Sequence, residues 1–165
     1  MSDDRPDSAA VTQQDHGRRH LLIGWWALLI FLTAGMTLEI LMGFRIGLYL
    51  DVDNETRRLM WRLAHSHGAL LAVVNVAFGL TCTVLAEGRL PRARLVSPFL
   101  IAATVLLPGG FFLGGVAFHG ADPGAGVLLS PLGSLALFVA VLLISRDLLA
   151  GTTADPEATA PTPAE

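Results

Sequence analysis

Glu39, His65, His67, Asn75 and His119 are polar side chains standing in or beside long apolar runs. Imidazole and carboxylate groups ligate iron, copper or zinc, and imidazole is an axial ligand of haem. Imidazole also titrates near neutrality, so the same groups can relay protons, for example to a quinone. Ionisable residues inside apolar spans are costly and face a cavity or the interior of a helix assembly. The structural alternative is a histidine that is simply hydrated or hydrogen-bonded at a helix end. The candidate cofactor-binding residues are therefore His67, His119, Glu39, His65 and Asn75. Of these, His67, His119 and Glu39 are the candidate metal ligands, and haem or a transition metal is the cofactor they suit.

Positioning these residues requires a membrane. Of 165 residues, 53% are hydrophobic and 15% charged, against about a quarter charged in an ordinary soluble domain. A helix crosses the hydrocarbon core with roughly 20 apolar residues, and four segments reach that length: about 21–41, 63–86, 95–118 and 127–145. Backbone amides in lipid must be satisfied within the segment, and the alternation of a membrane barrel is absent, so the spans are helices. The expected fold is an all-α, integral-membrane four-helix bundle over residues 18–150. Residues 1–17 and the acidic stretch 151–165 lack an apolar face and are expected to be disordered tails.

Arginine placement orients the spans. Arg5, Arg18, Arg19, Arg89, Arg92, Arg94 and Arg146 fall on one side, and Arg45, Arg57, Arg58 and Arg62 on the other. The richer side is the cytoplasm by the positive-inside rule, so both termini are expected there. In that topology Glu39 closes the first span, His65 and His67 open the second, and His119 closes the third, all at the outer-leaflet level. On an ideal helix His65 and His67 lie about 200° apart. His67, Leu71, Asn75 and Gly79 form an i, i+4 stripe, which makes His67 and Asn75 the inward pair and puts His65 on another face.

Other features are weaker. Arg18-Arg19 before an apolar run resembles an export signal, but the run exceeds a signal core and no A-x-A site follows, so it is expected to stay in the membrane. Asp53 or Asn54 is expected to cap a helix running through Arg62 into the second span. The acidic run from Asp51 to Glu55 lacks the glycine and distant glutamate of a calcium loop. Pro108-Gly109-Gly110 predicts a kink or unwound turn, with close helix packing through Gly110 and Gly114 as the preferred role. Cys82, the one cysteine, excludes a disulfide framework and reads as buried and inert.

The stretch His65-Ser66-His67-Gly68 through Asn75, followed by Gly88-Arg89-Leu90-Pro91-Arg92-Ala93-Arg94, resembles small four-helix bacterial membrane proteins of the hydroxylaminobenzene mutase type. The resemblance spans about 21–148. It implies rearrangement of an aromatic hydroxylamine, or a cofactor site related to respiratory haem proteins. The HSHG sequence departs from the single histidine of that pattern, which separates the fold from the substrate.

Nucleic-acid binding is disfavoured by a net charge of −3. Dinucleotide, P-loop and serine-hydrolase motifs are absent. All eleven basic residues are arginine, as a GC-rich bacterial genome would give, so the expected location is a bacterial inner membrane. Three functions remain: a redox or isomerase-type protein with an outer His/Glu site, a non-enzymatic accessory or assembly subunit of a membrane complex, and a small exporter. The second would use Gly43/Gly47, Gly110/Gly114 and Ala136/Ala140 as partner faces, in a homo-oligomer or a larger complex. The third wants a carboxylate midway along the first span, whereas Glu39 stands at its end.

Overall fold

The structure is a computed structural model that describes residues 8–50, 55–85 and 90–153. The chain forms α1 (Ser8–Gly43), α2 (Thr56–Val84), α3 (Ala93–Val116), a short 3-10 turn (Ala125–Leu128) and α4 (Leu129–Thr153). All four helices are long and apolar enough to cross a membrane, the architecture of a multi-pass membrane protein. Among the described residues there is no strand, only an isolated bridge in which His119 and Asp122 exchange backbone hydrogen bonds of 3.2 and 3.1 Å.

Glycine sets the closest helix pair. A methyl on Gly24 would lie 2.6 Å from Val76, one on Gly79 would lie 2.9 Å from the Gly17 carbonyl, and one on Gly68 would collide with the Phe31 ring. These glycines recur at two- and three-turn intervals, so α1 and α2 approach along their whole length. Gln13 on α1 also donates to the Cys82 carbonyl (3.0 Å), satisfying an orphan acceptor at the end of α2.

The second seam joins α3 to α4. Gly110 faces Ser130, whose hydroxyl donates to the Leu107 carbonyl (3.2 Å), and a methyl on Gly133 would clash with the Leu107 backbone. At the opposite end of this pair, the buried Asp147 carboxylate accepts from the Arg92 backbone amide (3.0 Å) and guanidinium (2.5 Å). Arg92 is the residue at the start of α3, so α4 supplies the cap that α3 lacks in its own sequence.

Four expectations change. Helix α1 begins at Ser8, not after residue 17, because Gln13 and Gly17 pack against the end of α2. Helix α2 does run unbroken from the loop into the span, but Glu55 occupies the cap position without a side-chain bond, and Asp53 and Asn54 lie outside the described residues. Helix α3 passes through Pro108 with no unwound turn, Gly110 being held against α4. Finally, the four helices of the expected bundle do not pair equally. α1, α2 and α3 approach one another closely, whereas among the described residues the close backbone approach of α4 is to α3 and the short turn before it, with Ala136 and Ala140 of α4 joining core clusters that also hold Leu71, Phe78 and Cys82 of α2. As for the tails, residues 1–7 and 154–165 lie outside the described residues.

Candidate functional site

Two polar centres lie among the helices. The first is enclosed where α1, α2 and α3 meet. His20 Nδ1 is 2.7 Å from Asn75 Oδ1, and His20 Nε2 is 2.9 Å from Ser97 Oγ. Asn75 Nδ2 donates to the Leu71 carbonyl and to Thr104 Oγ1, both at 2.8 Å, and the Thr104 hydroxyl donates to the Leu100 carbonyl at 2.7 Å.

Directions in this network follow from one group. The Leu71 carbonyl can only accept, so the asparagine nitrogen faces it and the asparagine oxygen faces His20. Nδ1 of His20 therefore carries a proton, and Nε2 accepts from the Ser97 hydroxyl. A ring with a single proton satisfies every partner. His20 and Asn75 are fully buried, Phe78 packs edge-on against the imidazole at 4.8 Å, and no buried side-chain polar atom among the described residues lacks a partner. Such a saturated centre joins helices; it has no free atom to offer a ligand.

Asn75 was legible as an inward polar residue of the α2 stripe. His20 was not, because it directly follows Arg18-Arg19 and reads as part of a charged flank. The usable signal was its position one residue before an apolar run in a helix that also carries Gly17 and Gly24 on its packed face.

The second centre is open and lies at the other end of α1 and α2. The His65 ring sits over Gly35, where a methyl would lie 2.5 Å from Cε1 and 3.0 Å from Nε2. His65 Nδ1 is 2.8 Å from the Phe31 carbonyl. A carbonyl only accepts, so Nδ1 is protonated and, in the neutral ring, Nε2 keeps its lone pair. Phe31 lies one turn before Gly35 and Glu39 one turn after it, so the ring's partner on α1 and the carboxylate stand on the same stretch of that helix. A hollow there is lined by Gly35, Leu38, Glu39, Met42, Gly43, Tyr49, Arg62 and His65.

Tyr49, in the loop between α1 and α2, is 2% exposed and stacks on Trp61 with ring centres 6.3 Å apart. Burial pushes its phenol above the ordinary tyrosine range, a rise opposed by the charges of Arg62 and Arg58. Trp61 stacks in turn on Phe112 at 5.6 Å, and Arg57 lies over both Trp61 and Phe118. This aromatic column fixes one wall of the hollow's surroundings.

His67 and His119 lie elsewhere. His67 donates through Nδ1 to the Leu63 carbonyl of its own helix (2.8 Å) and packs against Phe111 of α3, with ring centres 5.0 Å apart. His119 is exposed in the loop after α3. The structure thus places Glu39 and His65 on one hollow and bonds Asn75 to His20, whereas neither His67 nor His119 lines that hollow. Among the described residues, no three His, Cys, Asp or Glu side chains are grouped to hold a metal ion.

No protein-family model, curated protein or solved structure matches the chain. Its functional reading therefore rests on these side chains. Residue phase explains the contrast between the two histidines of α2. The helix is sandwiched between α1 and α3, so two faces about 200° apart are both inside the protein: His65 meets α1 and His67 meets α3.

Proposed function

We propose that the chain is an integral membrane protein of redox or isomerase type, with both termini in the cytoplasm of a bacterial inner membrane. Its site is the outer end of α1 and α2, where His65 accepts a proton from a bound molecule and Glu39 assists. The observation that carries this reading is the hydrogen bond from His65 Nδ1 to the Phe31 carbonyl, which leaves Nε2 a base in a hollow that the Glu39 side chain also lines. The resemblance to hydroxylaminobenzene mutase supports the isomerase half of the reading. His67 has the same tautomer through Leu63, so its Nε2 is a one-point ligand for haem iron or a transition metal.

The test is a nitrogen NMR spectrum of histidine-labelled protein in lipid nanodiscs, assigned with His65→Gln. The expected result is a His65 signal protonated at Nδ1 and bare at Nε2. Protonation at Nε2 instead would remove the base and the proposal with it. An absorption spectrum before and after dithionite decides the cofactor: a Soret band that shifts on reduction and disappears in His67→Ala assigns haem to His67.

The accessory-subunit reading is weakened by packing. Gly110 and Gly114 are covered by α4 and the turn before it, and Ala136 and Ala140 are buried within the chain. Gly43 and Gly47 alone of these six small residues have open space around them.

A further inference from the structure

The polar hollow has an apolar continuation. Leu38 and His65 line both it and a crevice formed by Phe31, Ala34, Leu41, Trp61 and Phe112, where α1, α2 and α3 diverge. The crevice walls are almost wholly hydrocarbon and aromatic, with Thr37 at the margin. Thr37 spends its hydroxyl proton on the Thr33 carbonyl of its own helix. His65 thus stands at the junction of an apolar slot and a polar mouth.

The chemistry of the mouth restricts what fits there. Nε2 of His65 and the carboxylate of Glu39 accept hydrogen bonds, so the ligand's head must donate. Arg62 lines the same hollow and can only donate, so the head must also accept. A carboxylate head would bring acceptor against acceptor at Nε2 and Glu39. A cationic head would bring like charge against Arg62. A hydroxyl meets all three. We infer that the joined crevice and hollow bind a neutral hydroxyl-bearing amphiphile, its apolar body against Phe31, Leu38, Trp61 and Phe112 and its hydroxyl donating to His65 Nε2. This inference rests on the proposed role of His65 and names the ligand class of that same site.

Geometry within the chain supports the placement. A side chain at Gly35 would intrude on the imidazole, so the glycine makes room for the ring between slot and mouth. The aromatic column of Tyr49, Trp61 and Phe112 holds the far wall in place without using Nε2.

Trp61 makes the site measurable. Trp25 and Trp26 are 62% and 64% exposed on the outside of α1, so Trp25→Phe/Trp26→Phe leaves Trp61 as the sole tryptophan with the site intact. Bromine quenches indole fluorescence on contact. The full chain in detergent, buffered at pH 8, is titrated with 6-bromo-1-hexanol, 6-bromohexanoate, (6-bromohexyl)trimethylammonium and 1-bromohexane.

Saturable quenching by the alcohol is expected, about tenfold tighter than by the other three, the factor that one good hydrogen bond supplies. His65→Gln and Gly35→Ala should each abolish that preference, the second by displacing the ring without removing it. Non-saturating quenching that is equal for all four probes would overturn the inference, as would a preference unchanged in both variants. Saturable binding of the carboxylate in place of the alcohol would overturn it too. The nitrogen spectrum separates the two failures: a bare Nε2 with head-independent quenching sinks the ligand class alone, whereas a protonated Nε2 sinks the base.

Discussion

His20, His65 and His67 are each defined by what their Nδ1 touches. In His20 the second nitrogen is also taken, by Ser97, and in His65 no group among the described residues takes it. That difference separates a helix-joining centre from a reactive one. Asn75 makes three of the bonds around His20, so Asn75→Ala is expected to cost most, about 2–3 kcal/mol through the groups it leaves unpaired in a buried site. Ser97→Ala should cost about 1 kcal/mol, as measured interhelical bonds in membranes do. His20→Ala and Asn75→Ala combined should be less damaging than the sum of the two, because the second change removes a partner already orphaned. Unfolding in mixed micelles measures all four, and strict additivity would mean that the network is not one unit. Tyr49 allows a second check, since it is the only tyrosine. Its raised phenol pKa means that the folded protein favours the neutral form. The stability this gives is fully present below the ordinary value near 10 and is lost as pH rises through the folded value. Tyrosinate absorbance should therefore appear later in the native protein than in urea-unfolded chain.

At the scale of elements, the sequence showed the four spans well because their apolar length is a property of each segment alone. Partner choice is a property of pairs. The α1–α2 seam depends on glycines at Gly17, Gly24, Gly68 and Gly79, whose two- and three-turn spacings escape a search for small residues four apart. The stripe through Asn75 was legible for the opposite reason: it repeats every four residues on one helix. Which side α4 would take was not legible, since Asp147 and Arg92 are 55 residues apart. With the Asp147 side chain 1% exposed and Arg92 at 42%, the pair is half screened, so breaking it costs less than the 3–5 kcal/mol of a fully buried pair. Asp147→Ala should still loosen α4 by about 1–2 kcal/mol, as the α3 amide loses its acceptor together with the charge. Because the close approach of α4 is to α3 and no core cluster among the described residues joins α4 to α1, hydrogen exchange should rise along α4 and at the start of α3 and stay unchanged in α1. A rise spread evenly over all four helices would contradict this pairing.

For the molecule as a whole, direction in the membrane decides what the His65 hollow faces. The two ends of the helix array differ in kind. One gathers the end of α2, the start of α3, the buried Asp147 and the arginine-rich flanks; the other gathers Glu39, His65, Tyr49 and the aromatic column. Arginines repel export, so the first end should stay in the cytoplasm, and the second, where Arg62 shares a hollow with Glu39, should face outward. Single cysteines test this in a Cys82→Ala background, a replacement of one small buried side chain by another. Pro123→Cys, in the loop joining α3 to α4, should react with an impermeant maleimide in intact spheroplasts, and Glu165→Cys only after the membrane is opened. The reverse pattern would put the hollow in the cytoplasm. The tautomer of His65 would then still stand, because the Phe31 carbonyl sets it from within the chain, but the molecule reaching Nε2 would have to come from the inner leaflet.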